Sequence, residues 1–342
     1  MAEQRTELRY LDLKNDICRQ IYLGTYGDGD HIPSERQLAL DYHVSRITVR
    51  KALELLETEK LIRREVGSGT ILQYHNGGNP APLDILTLVA PSKNPFFSRF
   101  IAHFQKMAWE EGALLLYVEV PENTSLEDCM FRLYQRDIRN AVIWPDDQSL
   151  QNEKLLRLRS IGMNLVFFDT DDGLPYGDCV HLDNREAICR LMEEGKDMYG
   201  KYVYMGWDNL DIPNVRKREE AFRTLKPDGQ VIHVPWRRDR KIRQADLEAA
   251  MEQLSDIENT MLLCGTGEIG QQLAEMLHER DTMPAKMAVV DSFEGSGRYP
   301  VSIYEQDLQE MARIIFERLK KQVRDGGLWQ AECVEVAGIY RQ

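Results

Sequence analysis

No apolar run in this chain approaches the roughly 20 residues that a membrane-spanning helix needs. The opening "MAEQRTELRY" is charged and lacks the apolar core of a signal peptide, so the expected compartment is the cytoplasm. Cys18, Cys129, Cys179, Cys189, Cys264 and Cys333 are scattered, and no pair has the C-x-x-C spacing of a zinc or redox site. They read as reduced residues of a chain too long to need disulfide staples. The seven histidines are dispersed without metal-ligand spacing, and no H-E-x-x-H, G-x-S-x-G or Walker motif is present. These absences argue against metal, cofactor and familiar hydrolase chemistry. Positive charge is in short supply too: 43 Lys+Arg against 56 Asp+Glu give a net charge of −13. A protein that coats nucleic acid uniformly is usually basic, so any such contact here has to be local.

What is present divides the 342 residues into two textures. Up to about residue 75 the pattern is helical and ends in a hairpin. Leu13, Ile17 and Ile21 recur at i+4 within a helix over 10–23. "GTYGDGDHIP" breaks it. Ser34 and Gln37 have capping-box spacing for a second helix, and Ser45 can cap a third that runs to about Glu59. "LIRREVGSGTIL" reads as strand, glycine turn, strand. "QYHNGGNPAPLD" has the Gly and Pro content of a linker. Beyond residue 83, short apolar runs such as "ILTLVA", "NLVFFD", "TMLLC" and "KMAVVD" alternate with amphipathic segments. That alternation predicts an α/β body with largely parallel sheets, and two such series suggest two lobes. The expected divisions are a winged helix-turn-helix over 1–74, a linker over 75–84 and a body over 85–342. Within the body, one lobe is expected at 85–181 and 303–330, the other at 182–302 and 331–342.

Three helices and a β-wing form a winged helix-turn-helix, whose third helix enters the major groove. Arg46 and Arg50 lie four apart near the start of that helix, beside its buried stripe. Each can reach a phosphate or a guanine edge. Thr48 is expected at a phosphate or a thymine methyl, Ser45 at a phosphate by the free helix N–H groups, and Arg36 at the DNA backbone. The glycines of the wing let Ser68 and Thr70 approach the sugar–phosphate. The first 75 residues are nearly neutral, so the arginines form one cationic face on an acidic protein.

Residues 8–73 resemble the DNA-binding domain of GntR-family regulators. The motifs are P-S-E-R-x-L-A, then S-R-x-T-V-R-x-A-L, then L-I and G-x-G-T. The resemblance implies DNA contacts from Arg36, Arg46, Arg50 and Gly67. Ser68 stands where the family often has a lysine or arginine. The fragments "LTLVAPSKNPFFSRF", "IRNAVIWP", "NLVFFDTD", "VHLDNREA", "NVRKREEAF" and "SIYEQD", in that order, resemble a LacI-type, periplasmic-binding-protein-like effector domain. That resemblance implies two parallel-sheet lobes around a small polar ligand, typically a sugar, and no cofactor. It also implies a homodimer on operator DNA. Sugar phosphates, amino sugars and glycosides all remain open.

A sugar needs paired donors and acceptors and an apolar plate. Asp169 ends an apolar strand, where open α/β sheets place ligands. Arg218 stands at the effector-contacting arginine of the family's R-x-x-G-F pattern. Trp236 is the expected stacking plate. Ser92 and Phe97 follow the first strand of the body, and Gln306 ends "SIYEQ". The chain departs from the family at "GTG", where Thr266 and Gly267 replace Asn-Asp. It departs again at Phe293, which replaces an acid and leaves Asp291 to serve.

A rival reading comes from the same loop. Gly265, Gly267 and Gly270 spell G-x-G-x-x-G after a predicted strand, with Asp291 about twenty residues on. That is dinucleotide-binding spacing and would suit an NAD(P)-linked enzyme. It stands late in the chain, with no catalytic acid–base pair beside it.

Overall fold

In the computed structural model, all residues are described except 1, 66–68, 74–82, 91–94, 122, 146, 194, 196–197, 238 and 240, and the side chains of 2–8 and 95–97. The expected linker and the wing residues Gly67 and Ser68 therefore lie mostly or wholly outside the described residues, as does Ser92.

The chain begins with α1 (Ala2–Leu23), longer than the stripe alone predicts, and β1 (His31–Ile32). α2 (Glu35–Asp41) and α3 (Arg46–Thr58) follow. Ser34 and Ser45 each cap the next helix by accepting the N–H three residues on. The capping box at Ser34 is only half formed, because Gln37 Nε2 turns forward and donates to Asp41 at 2.7 Å. β2 (Ile62–Glu65) and β3 (Gly69–Leu72) form the wing, and β1 pairs antiparallel with β3 to complete a three-stranded sheet. Gly69 has φ +94°, a backbone conformation that favours glycine at the hairpin.

The body is built on two six-stranded sheets. β4 (Ile85–Ala90), α4 (Pro95–Glu110), β5 (Leu114–Glu119), α5 (Leu126–Tyr134), β6 (Asn140–Ile143), α6 (Asn152–Ser160) and β7 (Asn164–Phe168) alternate as expected. β4 pairs in parallel with β5 on one side and β6 on the other. β8 (Asp178–Leu182) continues this sheet. α7 (Asn184–Glu193) leads to the second series: β9 (Lys201–Asp208), α8 (Pro213–Leu225), β10 (Gln230–Pro235) and α9 (Gln244–Glu252). β11 (Thr260–Cys264), α10 (Gly267–Glu279), β12 (Lys286–Val290) and β13 (Val301–Glu305) complete it. α11 (Leu308–Asp325), β14 (Cys333–Val336) and β15 (Ile339–Arg341) close the chain. The first sheet has the order β14-β8-β7-β6-β4-β5, the second β10-β9-β11-β12-β13-β15.

The fold is thus α/β, with a small antiparallel winged-helix sheet and two parallel-sheet lobes. Two compact units emerge: residues 1–168, 172–179 and 312–333, and residues 169–171, 180–311 and 334–342. The winged helix belongs to the first unit. Its core residues Leu13, Ile17, Ile21, Val49, Leu53 and Leu56 form one apolar cluster with Met130, Phe131, Ile143, Leu158 and Phe167 of the lobe. In the second unit Met205, Val234, Leu262, Leu273, Val289 and Ile303 are the equivalent.

Candidate functional site

The winged helix presents its charge through one carboxylate. Glu35, in the first turn of α2, faces three arginines. Arg50 Nη2 is 3.2 Å from its Oε2, Arg46 Nη2 3.9 Å from the same oxygen, and Arg64 Nη1 3.9 Å from Oε1. Arg64, on β2, also donates to the Arg50 carbonyl at 3.4 Å and pairs with Glu57 at 3.3 Å. Bonding to Glu35 raises the already high pKa of Arg50, so its charge is permanent. The Arg46 and Arg50 side chains remain 65% and 55% exposed, so most of each guanidinium faces water. Arg36 is exposed on the neighbouring helix, and Ile47 is 77% exposed between the two α3 arginines. A bare isoleucine on such a face suits a thymine methyl.

Thr48 sits elsewhere. It is 4% exposed, and its hydroxyl lies 2.8 Å from Ser45 Oγ within the helix cap. Helix periodicity explains this: Thr48 shares the inward face with Ala52 and Leu56. Ser45 is exposed, its Oγ accepting the Thr48 N–H at 3.1 Å, and Thr70 is partly buried on the wing. Sequence reasoning missed Glu35, Ile47 and Arg64. The first stood only as part of a motif, the second at a variable position of one, the third as a residue of a strand.

The second unit gathers polar side chains at the carboxyl ends of its strands. β9 has β10 on one side and β11 on the other, so the chain reverses its winding there, the place where open sheets bind ligands. Arg218 reaches this point from α8 and is 3% exposed. Its Nε donates to Asn184 Oδ1 at 2.7 Å, and Nη1 donates to the Gly265 carbonyl at 2.8 Å and lies 3.4 Å from Asp291 Oδ2. Asn184 Nδ2 in turn donates to Asn214 Oδ1 at 2.9 Å, and Asn214 Nδ2 to the carbonyl and Oδ1 of Asp169, each at 2.6 Å. Asp169 and Asp291 both end strands with positive φ, +61° and +71°. Such backbone costs on the order of 1 kcal/mol or more and collects at functional positions.

Among the described residues, the buried oxygens of this unit without a hydrogen-bond partner include Tyr204 OH, Thr266 Oγ1 and Gln306 Oε1. Each unsatisfied group costs roughly 1–3 kcal/mol, which a hydroxylated ligand would recover. The chain thus brings Arg218 and Asp291 into direct contact, and links Asp169 to Arg218 through Asn214 and Asn184. Trp236 is partly buried and packs on the core of the second unit. Phe97 lies on α4, its side chain outside the described residues. Asn184 and Asn214 escaped sequence reasoning, since a lone asparagine carries no periodic signal. Phe293 packs on the core beside Tyr299, so it cannot replace the acid.

The glycines of the G-x-G-x-x-G stretch answer to packing. A Cβ on Gly265 would sit 2.2 Å from Tyr204 OH, one on Gly267 3.1 Å from the Ser292 carbonyl, and one on Gly270 2.4 Å from Val289. Asp291, the acid of the dinucleotide reading, is engaged by Arg218. Among the described residues no group of His, Cys, Asp and Glu could hold a metal ion, and no helix is long and apolar enough to cross a membrane.

Residues 9–72 match the family described as bacterial regulatory proteins, gntR family. The "Probable fructoselysine utilization operon transcriptional repressor" of Escherichia coli (strain K12) is 37% identical over 67 residues, 20% of this chain and 28% of that protein. The chain spans less than a third of the length of such curated relatives. Among solved structures, the trehalose repressor from Escherichia coli superposes with a TM-score of 0.62 at 16% identity, covering 76% of this chain and 100% of that one. The Cra transcriptional dual regulator from Pseudomonas putida, in complex with fructose 1-phosphate, gives 0.62 at 14% identity over 76% of this chain and 99% of that one. The head is therefore a gntR-type winged helix, and the body has the fold of LacI-type effector domains. These matches are to transcriptional regulators, and the dinucleotide-enzyme reading is set aside.

Proposed function

From a gntR-type head joined to a LacI-type body, we propose that this chain is a DNA-binding transcriptional regulator, a repressor of carbohydrate-metabolism genes, tuned by a sugar-like effector. The observation that carries it is the exposed arginine trio around Glu35 on a protein of net charge −13. Duplex phosphate and guanine edges give it a purpose.

In this reading α3 enters the major groove. Arg46 and Arg50 contact guanine or phosphate, Arg36 and Arg64 hold the backbone, Ile47 meets a thymine methyl, and the wing residues Gly67, Ser68 and Thr70 approach the sugar–phosphate. Ser45 and Thr48 keep the helix end in shape. In the body, Arg218 and Asp291 form a paired donor and acceptor for vicinal hydroxyls, while Thr266, Gln306 and Tyr204 supply further polar contacts. Asp169 acts through Asn214. Ser92, Phe97 and Trp236 stay assigned to the effector by sequence reasoning. The printed ligand of the Cra structure, fructose 1-phosphate, supports a sugar as the effector class.

A homodimer follows from the same reading. Trp109 on α4 is 78% exposed and Leu114, on the edge strand β5, 64% exposed, with Ile85 and Leu116 also bare. An apolar edge of this kind calls for a partner, and a second copy placing two heads on a pseudo-palindrome fits it. The chain works in the cytoplasm, where its DNA is. Selection of duplexes from a random pool with the full chain tests the proposal. Enrichment of one motif, lost with Arg50→Ala, is the expected result; a pool that never enriches would overturn it.

A further inference from the structure

α1 carries two stripes. Leu13, Ile17 and Ile21 belong to the core of the winged helix. One residue further on, Lys14, Cys18 and Tyr22 recur at the same spacing, and all are buried. Cys18 and Tyr22 meet the lobe of the same unit, while Lys14 pairs with Glu59 of the winged helix beside them. The Tyr22 ring stacks on Phe131 of α5, with centroids 4.3 Å apart and planes within 3°. Its hydroxyl donates to Asp128 at 2.6 Å, and Lys154 of α6 donates to the same carboxylate at 2.8 Å. Cys18 Sγ lies 3.2 Å from Tyr134 OH. Arg157 of α6 donates to the Tyr22 carbonyl at 3.4 Å, and a Cβ on Gly24 would fall 2.6 Å from its guanidinium.

The ionic centre of this seam is Glu59. Lys14 Nζ is 2.6 Å and Arg139 Nη2 3.1 Å from Glu59 Oε1, and Arg139 also pairs with Asp137 at 3.0 Å. Lys14 and Arg139 are 7% and 5% exposed. Two buried cations share one carboxylate: on separation Lys14 would keep Glu59 and Arg139 would keep Asp137, but the contact of Arg139 with Glu59, made across the seam between buried side chains, would be lost. Glu59 is moreover the C-cap of α3, and Arg139 immediately precedes β6. The recognition helix is thereby tied to the lobe's sheet by a single ion pair. Its 13 residues span about 20 Å, so the arginines at the other end stay exposed while the seam is closed.

We propose that the winged helix is a fixed attachment of this lobe, held through the Lys14–Cys18–Tyr22 stripe and the Glu59–Arg139 pair, and that this seam carries changes in the lobe to the recognition helix. The first half stands on the contacts alone; the second rests on the regulator reading above. Spin labels on Glu54→Cys and Arg132→Cys, two exposed positions on α3 and α5, report the separation in the full chain, with Cys189 and Cys333 replaced by serine and labelled protein diluted in unlabelled.

The expected result is one narrow distance, lost in Arg139→Met with Asp128→Asn. Both substitutions lie in the lobe, so the head keeps its own core. Alkylation of the otherwise native chain gives a second readout. Cys18 stays protected while the exposed Cys333 reacts, and becomes reactive in the seam variant. A broad wild-type distance, or Cys18 reacting as fast as Cys333, would overturn fixed attachment. If the distance is narrow but the seam variant still changes its operator affinity with effector as the wild type does, the seam is scaffold and its transmitting role is refuted. A chain that selects no duplex leaves the attachment standing and removes the regulator reading instead.

Discussion

Replacing Arg218 by methionine keeps most of the buried side-chain volume and removes the guanidinium. Three acceptors then lose a donor: Asn184 Oδ1, the Gly265 carbonyl and Asp291 Oδ2. Truncating one partner of a buried ion pair costs about 3–5 kcal/mol, because the other charge is left without compensation. The Asp291 side chain is 15% exposed and regains some hydration, which places the expected loss at the lower end, about 3 kcal/mol. For a unit of this size that corresponds to a fall in Tm of roughly 6–12 °C. Adding Asp291→Asn removes the carboxylate that has lost its arginine and should return about 1–2 kcal/mol. Thermal unfolding of wild type, both single variants and the double variant gives the cycle. A sugar that raises the wild-type Tm should no longer raise that of Arg218→Met, while duplex affinity below the transition is unchanged. An Arg218→Met protein that melts within a degree of wild type and still responds to the sugar would refute the reasoning. So would an Asp291→Asn change that simply adds a second loss.

Other expected outcomes are simpler to state. Arg50 is exposed, so Arg50→Ala should leave Tm unchanged, while duplex affinity falls by roughly tenfold or more; if its contact is a phosphate, the slope of log K against log salt drops by about 1. Binding by anisotropy that matched wild type would take α3 out of the groove. Burial holds the His181 imidazole below its usual pKa, the contact of Nδ1 with the Leu182 carbonyl opposing this only in part. The unfolded chain therefore binds the proton more readily, and the associated stability is present above about pH 6.5 and lost as pH falls below it toward the folded pKa. Denaturant midpoints should decline over that range in wild type and less in His181→Gln; parallel profiles would contradict the assignment. Trp109→Glu with Leu114→Glu should shift sedimentation from dimer to monomer, and an unchanged profile would move the dimer contact elsewhere.

The sequence was most legible where a short signal coincided with a local physical requirement. "TMLLC" becomes β11 over the same residues, since a threonine followed by four apolar residues between polar or glycine flanks has few other uses. Ser34 and Ser45 cap the helices they precede because an oxygen three residues before a free N–H closes with no tertiary help. Arg218 was legible only through a family pattern, and its partner Asn184, with Asn214 beyond it, was not legible at all: the pairing of the two asparagines depends on α7 and α8 bringing residues thirty apart into contact. Lys14, Cys18 and Tyr22 form a stripe as regular as the core stripe beside them. A lysine, a cysteine and a tyrosine do not read as one face until a second surface covers them. Thr48 shows the opposite error, a side chain assigned outward by its chemistry when its helical phase turned it inward.

The central claim is that one protein binds an operator through its head and a sugar through its body, each binding altering the other. The direct measurement is operator affinity with and without the effector, paired with effector affinity with and without operator, in the same buffer. A regulator gives the same factor in both directions, five-fold to about 150-fold for ordinary coupling. Tight binding of both ligands with a factor of one would contradict the account, whatever each site looks like by itself.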